Sequence, residues 1–159
     1  MRVTIVCVGK IKEKYLNEGI EEFSKRLTPF CKLNVISIGE ERMPADPSPA
    51  EKSQVLQKET QRLLEIIPEG AYTILLDVGG RQLSSTELAA EMEKLQVAGC
   101  SHIAFIIGGA FGYTDSLRAR ADFALSFSKM TFTHQMIRLF LLEQIYRAFK
   151  ISRGEKYHW

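Results

Sequence analysis

Three short segments of this 159-residue chain carry the residue types that could hold a small ligand: Leu76-Asp77-Val78-Gly79-Gly80, Ile107-Gly108-Gly109-Ala110-Phe111-Gly112 and Phe127-Ser128-Lys129-Met130-Thr131-Phe132. Each closes an apolar run of strand type. Glycine-rich turns let a ligand approach the backbone closely and expose N–H donors, although any one of them also serves as a plain strand-to-helix turn. Three such ends in one small chain favour the ligand. The familiar nucleotide clamps are missing. Ile107 stands where GxGxxG needs its first glycine, no GK[ST] triplet exists, and Gly9-Lys10-Ile11 is no dinucleotide fingerprint. There is no GxSxG, and no cysteine is placed as an evident nucleophile. A ligand here is held mostly by backbone and apolar surface.

Cys7, Cys31 and Cys100 are odd in number, widely spaced and without a CxxC, which argues against a disulfide framework and a zinc knuckle. Cys100 and His102 lie close but have no further ligands nearby, so no metal is expected. Apolar residues make up 45% and charged residues 25%, ordinary globular values that exclude a disordered or fibrous chain. Val3 to Val8 is too short for a signal-peptide core, and no run approaches the roughly 18 apolar residues of a membrane span. The expectation is a soluble, cytoplasmic protein forming one domain over residues 1–159, with no membrane partner.

The elements that would position the three segments alternate. Val3–Val8, Leu33–Ile38, Tyr72–Asp77, His102–Ile107 and Phe123–Phe127 read as strands. Between them, Leu16, Ile20, Phe23, Leu27 and Phe30 make one helical stripe. Ser48-Pro49-Ala50-Glu51 is a capping box with proline at the first helical position, opening a helix that turns Leu56, Leu63, Leu64 and Ile67 inward. Ser84 with Glu87 opens another, carrying Leu88, Met92 and Leu95. Thr114 can cap a short helix through Arg120, and a last helix spans His134 to Ile151. Residues 40–47 form a polar loop. Alternating strands and helices, with near-continuous apolar strands, predict an α/β fold: a mostly parallel sheet with helices on both faces. In such a sheet ligands sit beyond the carboxyl ends of the strands, where the three segments lie.

Net charge is +2, with 21 basic and 19 acidic side chains. From Lys129 onward, however, Lys129, Arg138, Arg147, Lys150, Arg153 and Lys156 face only Glu143 and Glu155, leaving +4 there and −2 on the rest. Interleaved with Tyr146, Tyr157, His158 and Trp159, these side chains suit phosphate pairing and base stacking, or else a solvated helix face with a frayed tail. The last helix is apolar on more than one side. Its second face lies either under the rest of the domain or against a second copy, which is preferred.

Together Leu-Leu-Asp-x-x-Gly at 75–80, Ile-Ile-Gly-Gly-x-x-Gly at 106–112, Ser-Phe-Ser-Lys-Met-Thr-Phe-x-His at 126–134, Arg138, Glu143-Gln144-Ile145-Tyr146-Arg147-Ala148 and Tyr157-His158 resemble the ribosomal RNA large subunit methyltransferase H family, of the SPOUT class. The resemblance covers essentially the whole chain. It implies a homodimer, a trefoil-knotted C-terminal half, S-adenosylmethionine as methyl donor, and methylation at N3 of a pseudouridine in 23S ribosomal RNA, on assembled ribosomes. Carried over by motif, cofactor contacts fall on Leu76, Gly108, Phe127, Ser128, Lys129, Met130, Thr131 and Phe132; the basic and aromatic tail makes Arg153, Lys156, Tyr157 and His158 the expected RNA contacts. Thr133 and Trp159 depart from the family pattern, which often has proline before the motif histidine and a basic residue after the terminal Tyr-His.

The N3 proton must leave, and His134 and His158 are the candidate bases. His134 serves equally as a helix-start residue, and His158 as part of an RNA clasp over the partner's pocket. Arg138 either holds a phosphate, orients the base or makes a mid-helix salt bridge. The competing classes are a non-enzymatic RNA- or ribosome-binding factor and an enzyme acting on a small nucleotide.

Overall fold

A computed structural model describes residues 1–157; His158 and Trp159 lie outside the described residues. The elements in chain order are β1 (Arg2–Val8), α1 (Lys14–Leu27), β2 (Lys32–Ile38), α2 (Pro49–Ile66), β3 (Tyr72–Gln82), α3 (Ser85–Val97), β4 (His102–Ile107), α4 (Asp115–Arg120), β5 (Phe123–Ser126) and α5 (Met136–Ser152). The strands form one sheet in the order β2-β1-β4-β3-β5. Every pairing is parallel.

Period-two alternation sends side chains of each strand to opposite faces. Val3, Ile5, Cys7, Ile103, Phe105 and Ile107 join Leu27 of α1, Leu88, Ala89 and Met92 of α3, and Ile137, Leu141, Leu142, Ile145 and Ala148 of α5. On the other face Val6, Val8, Leu75 and Ile106 meet Leu63 and Ile67 beside α2 and Leu117 of α4. Helices therefore cover both faces, as the pattern predicts. α5 packs between α1 and α3, so much of its apolar breadth is accounted for within the chain.

Both capping boxes form: the Ser48 and Ser84 side chains accept from the backbone N–H of Glu51 and Glu87, whose carboxylates reach back to the cap N–H groups. Elsewhere the structure corrects the sequence reading. α1 ends at Leu27, and Phe30 instead packs on Tyr146 and Phe149, with ring centroids 5.7 Å away in each case. α2 buries Val55, Glu59, Thr60 and Leu63, with Leu56 and Leu64 half-buried at the edge of that face. α5 starts at Met136, two residues beyond His134, because residues 128–135 are irregular. Thr114 stands at the N-cap of α4 without a side-chain cap bond.

The largest correction concerns β3. It does not stop at Asp77: Leu76 and Arg81 both pair with Leu125 of β5, and Gln82 pairs with Ser126, so residues 77–80 are looped out of a strand that resumes. Gly80 is glycine because an added Cβ would lie 2.6 Å from the Ala124 carbonyl oxygen. Close approach of the chain to itself, not of a ligand, makes that demand.

A cleft at the carboxyl ends of the strands

The carboxyl ends of β3 and β4, together with the segments after β4 and β5, open on one cleft of about 850 Å³. One wall is Leu76, Asp77 and Val78, another the loop from Ile107 to Tyr113. The floor and rim come from Phe127, Ser128 and residues 130–137, with Tyr15 and Leu16 of α1 opposite. Of the expected contacts, Leu76, Gly108, Phe127, Ser128, Met130, Thr131 and Phe132 line this cleft; Lys129 is exposed beside it. The three segments picked out by type and spacing thus converge.

Local bonds shape each wall. Asp77 accepts the Gly79 N–H at 3.0 Å and pairs with Arg118 of α4, which anchors the loop excluded from β3. Ser126 Oγ donates to the Ser128 carbonyl at 3.0 Å, and Ser128 Oγ accepts the Met130 N–H at 3.0 Å, a turn that sets the next residues. Gly108 has no room for a side chain because the Tyr113 ring would lie 2.7 Å from its Cβ. Burial raises the Tyr113 phenol pKa, so its ring is a neutral wall.

His134 lines the cleft with its side chain 14% exposed, and its Nε2 sits 3.0 Å from Glu40 Oε1. An ionised carboxylate only accepts, so Nε2 carries the proton in this pair and a neutral ring presents a lone pair at Nδ1. Glu40 comes from the polar loop after β2, and nothing in the sequence singles it out. Arg138 is placed otherwise than expected. It is 4% exposed and absent from the cleft wall. Its Nη2 donates to the Val8 carbonyl and its Nε to the His134 carbonyl at 3.2 Å. Desolvation lowers its pKa, with Cys7 and Glu40 opposing. A guanidinium held on two backbone carbonyls fixes the chain behind His134. Among the described residues it makes no mid-helix salt bridge.

Glu59 was also missed. It is buried on α2, where it accepts the Glu41 N–H at 2.9 Å, and burial raises its pKa. The available signal was a carboxyl set between Val55 and Leu63 at helical spacing.

Through Tyr157 the tail is not frayed. Gly154 adopts φ +65°, the Gly154 N–H bonds to the Ile151 carbonyl and the Glu155 N–H to the Lys150 carbonyl, a Schellman stop that folds the chain back. Lys150 pairs with Glu155. Arg153 lies over the Phe30 ring at 4.2 Å and donates to the Pro29 carbonyl at 3.3 Å. Tyr157 packs edge-on to Tyr146 at 4.9 Å, donates its hydroxyl to Glu143 at 3.2 Å and lies under Arg147. Lys156 is exposed, and His158 falls outside the described residues. α5 rises about 25 Å from the cleft to its last turn, and the folded-back tail returns Tyr157 to Glu143, about 10 Å of rise from Met136.

Among the described residues no group of three His, Cys, Asp or Glu side chains is placed to hold a metal, and no helix is long and apolar enough to cross a membrane.

Residues 1–158 match the family model described as "Predicted SPOUT methyltransferase". The chain is 52% identical over 158 residues to a protein of Halothermothrix orenii and 51% identical to one of Acetivibrio thermocellus, both named "Ribosomal RNA large subunit methyltransferase H". A Methanococcus maripaludis protein, "Putative ribosomal RNA large subunit methyltransferase H", is 47% identical. Each match covers 99% of both chains. Two solved structures share the fold at TM-score 0.54: a probable methylase family protein of Haemophilus influenzae (11% identity, covering 99% of this chain and 70% of that one) and a probable methyltransferase of Bordetella pertussis (14%, covering 93% and 96%). On a match that runs through both the cleft and the tail, the chain belongs to the SPOUT methyltransferase family.

Proposed function

We propose that the chain is an S-adenosylmethionine-dependent methyltransferase acting on N3 of a pseudouridine in 23S ribosomal RNA, on assembled ribosomes in the cytoplasm. It works as a homodimer of one SPOUT domain, residues 1–159, with a knotted C-terminal half. The observation that carries this reading is the convergence of Leu76, Gly108 and residues 127–132 on one cleft, in a chain about half identical to rRNA methyltransferases over its whole length. The relatives' names supply the RNA.

The cleft fits such a donor. It is large enough for a nucleoside-sized molecule, its walls are backbone and apolar surface, and it needs no phosphate clamp. Leu76 and Phe127 would hold the donor with apolar side chains, while the loop at 108–112 and the Ser128–Phe132 turn would supply backbone groups. When bound, S-adenosylmethionine supplies a methyl group on a sulfonium. The chain's own work is alignment and exclusion of water. His134 takes the N3 proton on Nδ1, because Nε2 is committed to Glu40. Arg138 and the Val8 carbonyl keep the His134 backbone in place.

Two features support the dimer. Tyr15, Val78, Phe111, Met130, Phe132 and Met136 are large apolar side chains exposed around the cleft, Met130 by 75%. A second copy is their natural cover. The tail, docked back on Tyr146 and Glu143, lines no part of its own cleft through Tyr157. Arg153, Lys156, Tyr157 and His158 therefore engage RNA at the cleft of the partner.

The test is transfer of a labelled methyl group to assembled ribosomes and to free 23S ribosomal RNA, with the product mapped. Label at N3 of one pseudouridine on ribosomes supports the reading. Binding to ribosomes with no transfer and no affinity for S-adenosylmethionine identifies a non-enzymatic factor instead.

A further inference from the structure

Among the described residues, the one buried side-chain oxygen without a hydrogen-bond partner is Glu59 Oε2. Glu59 is 4% exposed, on the inner face of α2. Its other oxygen accepts the Glu41 N–H at 2.9 Å. Oε2 abuts the glycine loop: a Cβ on Gly109 would lie 2.5 Å from it. The next residue, Thr60, accepts the Thr114 N–H on Oγ1 at 3.0 Å. Two adjacent side chains of α2 thus meet both ends of the segment 109–114. Beside Glu41, Glu40 holds His134 Nε2 at 3.0 Å. Glu59 itself does not line the cleft, yet it touches the loop on one of its walls and the segment that holds its histidine.

We propose that Glu59 is a positioning residue that ties the glycine loop at 108–112 to the segment 40–41, setting the cofactor wall and His134 relative to each other. The proposal rests on the methyltransferase reading and adds a residue to it. Burial favours the neutral acid in this tie. A neutral carboxyl accepts on Oε1 and lays Oε2 against Gly109 without burying a charge, whereas its anion would sit unpartnered behind the loop. Burial is the main cause of the raised pKa; the Glu41 N–H lowers it, Glu40 and Glu41 of the loop after β2 raise it, and His134 before α5 lowers it. Residues 108–112 and Val8 bring no charge. Rising pH therefore loosens the loop.

The test uses Glu59→Gln, an isostere of the neutral acid, Glu59→Ala, and Glu65→Gln on the exposed side of α2 as control. Amide exchange of residues 109–114 and 41, measured on the protein without additions, reads the tie. In the wild type, protection of these amides falls as pH rises beyond the intrinsic chemical trend. Glu59→Gln keeps protection and removes that fall, Glu59→Ala loses about tenfold, the scale of one bond to a buried group, and Glu65→Gln matches the wild type. With S-adenosylmethionine, calorimetry gives Glu59→Gln an affinity near the wild type's and Glu59→Ala one about tenfold weaker. Unchanged exchange in Glu59→Ala, or a pH dependence that survives in Glu59→Gln, overturns the proposal. If Glu59→Ala does not fold, the pH dependence of Glu59→Gln decides. A wild type that fails to bind S-adenosylmethionine refutes the methyltransferase reading, whereas exchange judges Glu59 without it.

Discussion

At its first turn α5 meets the cleft, where the chain is irregular from Ser128 to Gln135 and Met130, Phe132 and Met136 stand in solvent. At its last turn, about 25 Å away, the chain folds back and is tied down: Tyr157 to Glu143, Arg147 to Glu143, Arg153 to Phe30 and Pro29. One end of the helix leaves apolar surface uncovered, and the other has already ordered its tail as far as Tyr157. A preordered tail loses less conformational freedom when it meets a partner, so it suits a rigid recognition surface. The open end suits a small ligand and a second chain. The proposed reading gives cofactor and RNA to opposite ends of one helix.

The greatest separation should come from deleting residues 153–159. Ribosome methylation is then lost, while calorimetric affinity for S-adenosylmethionine stays within about twofold of wild type. Loss of cofactor binding in that truncation breaks the comparison. Gly108→Leu is its mirror. With Tyr113 only 2.7 Å from the place of a Cβ, the larger side chain must displace a wall of the cleft, and cofactor affinity should fall about 100-fold, with ribosome binding retained.

A smaller effect sharpens the account of the tail. Tyr157→Phe keeps the ring on Tyr146 and removes the bond to Glu143, which should weaken tail docking by about 1 kcal/mol and slow ribosome methylation a few-fold without touching cofactor affinity. Smallest is a change common to both ends. His102 is buried beside Thr4, 2.9 Å from its hydroxyl, at the amino end of the central strand β4, away from the carboxyl-end cleft. Desolvation, with Arg2 second, lowers its pKa below the ordinary 6.5. The unfolded chain therefore binds the extra proton first, and folding stability declines as pH falls through 6.5 and levels off below the folded value. Denaturant midpoints measured across that range should show the decline, and His102→Gln should flatten it. Cofactor binding and RNA binding should weaken together as the fold loosens.

What the sequence revealed follows from the range of each signal. The capping boxes at Ser48 and Ser84 were legible because both partners lie within four residues. So was the parallel order of layers, since apolar strands such as His102–Ile107 need cover on both faces. Convergence of the three glycine-containing or loop segments followed from the rule for open sheets. The reason for the glycines did not. The pattern favours room for a ligand at Gly80, Gly108 and Gly109, but Ala124, Tyr113 and Glu59 occupy the space where their side chains would be. Such demands come from residues up to about fifty positions away and leave no local mark. Arg138 misled in the opposite way: its charge suggested a phosphate, yet it bonds the Val8 carbonyl 130 residues earlier in the chain. Glu40 and Glu59 looked like ordinary surface acids. Gly154 was in plain view after a basic helix end, and a C-cap reading would have replaced the frayed tail by a folded one.

The central claim, that the tail of one subunit serves the cleft of the other, is tested most directly by a purified mixed dimer. One chain lacks residues 153–159 and keeps an intact cleft; the other carries Gly108→Leu and keeps its tail. Each homodimer should be inactive on ribosomes, and the mixed dimer should regain up to half of the wild-type methylation through its single complete pair of cleft and tail. A mixed dimer as inactive as its two parents would contradict the account, because a tail acting on its own cleft could not be restored by the other chain.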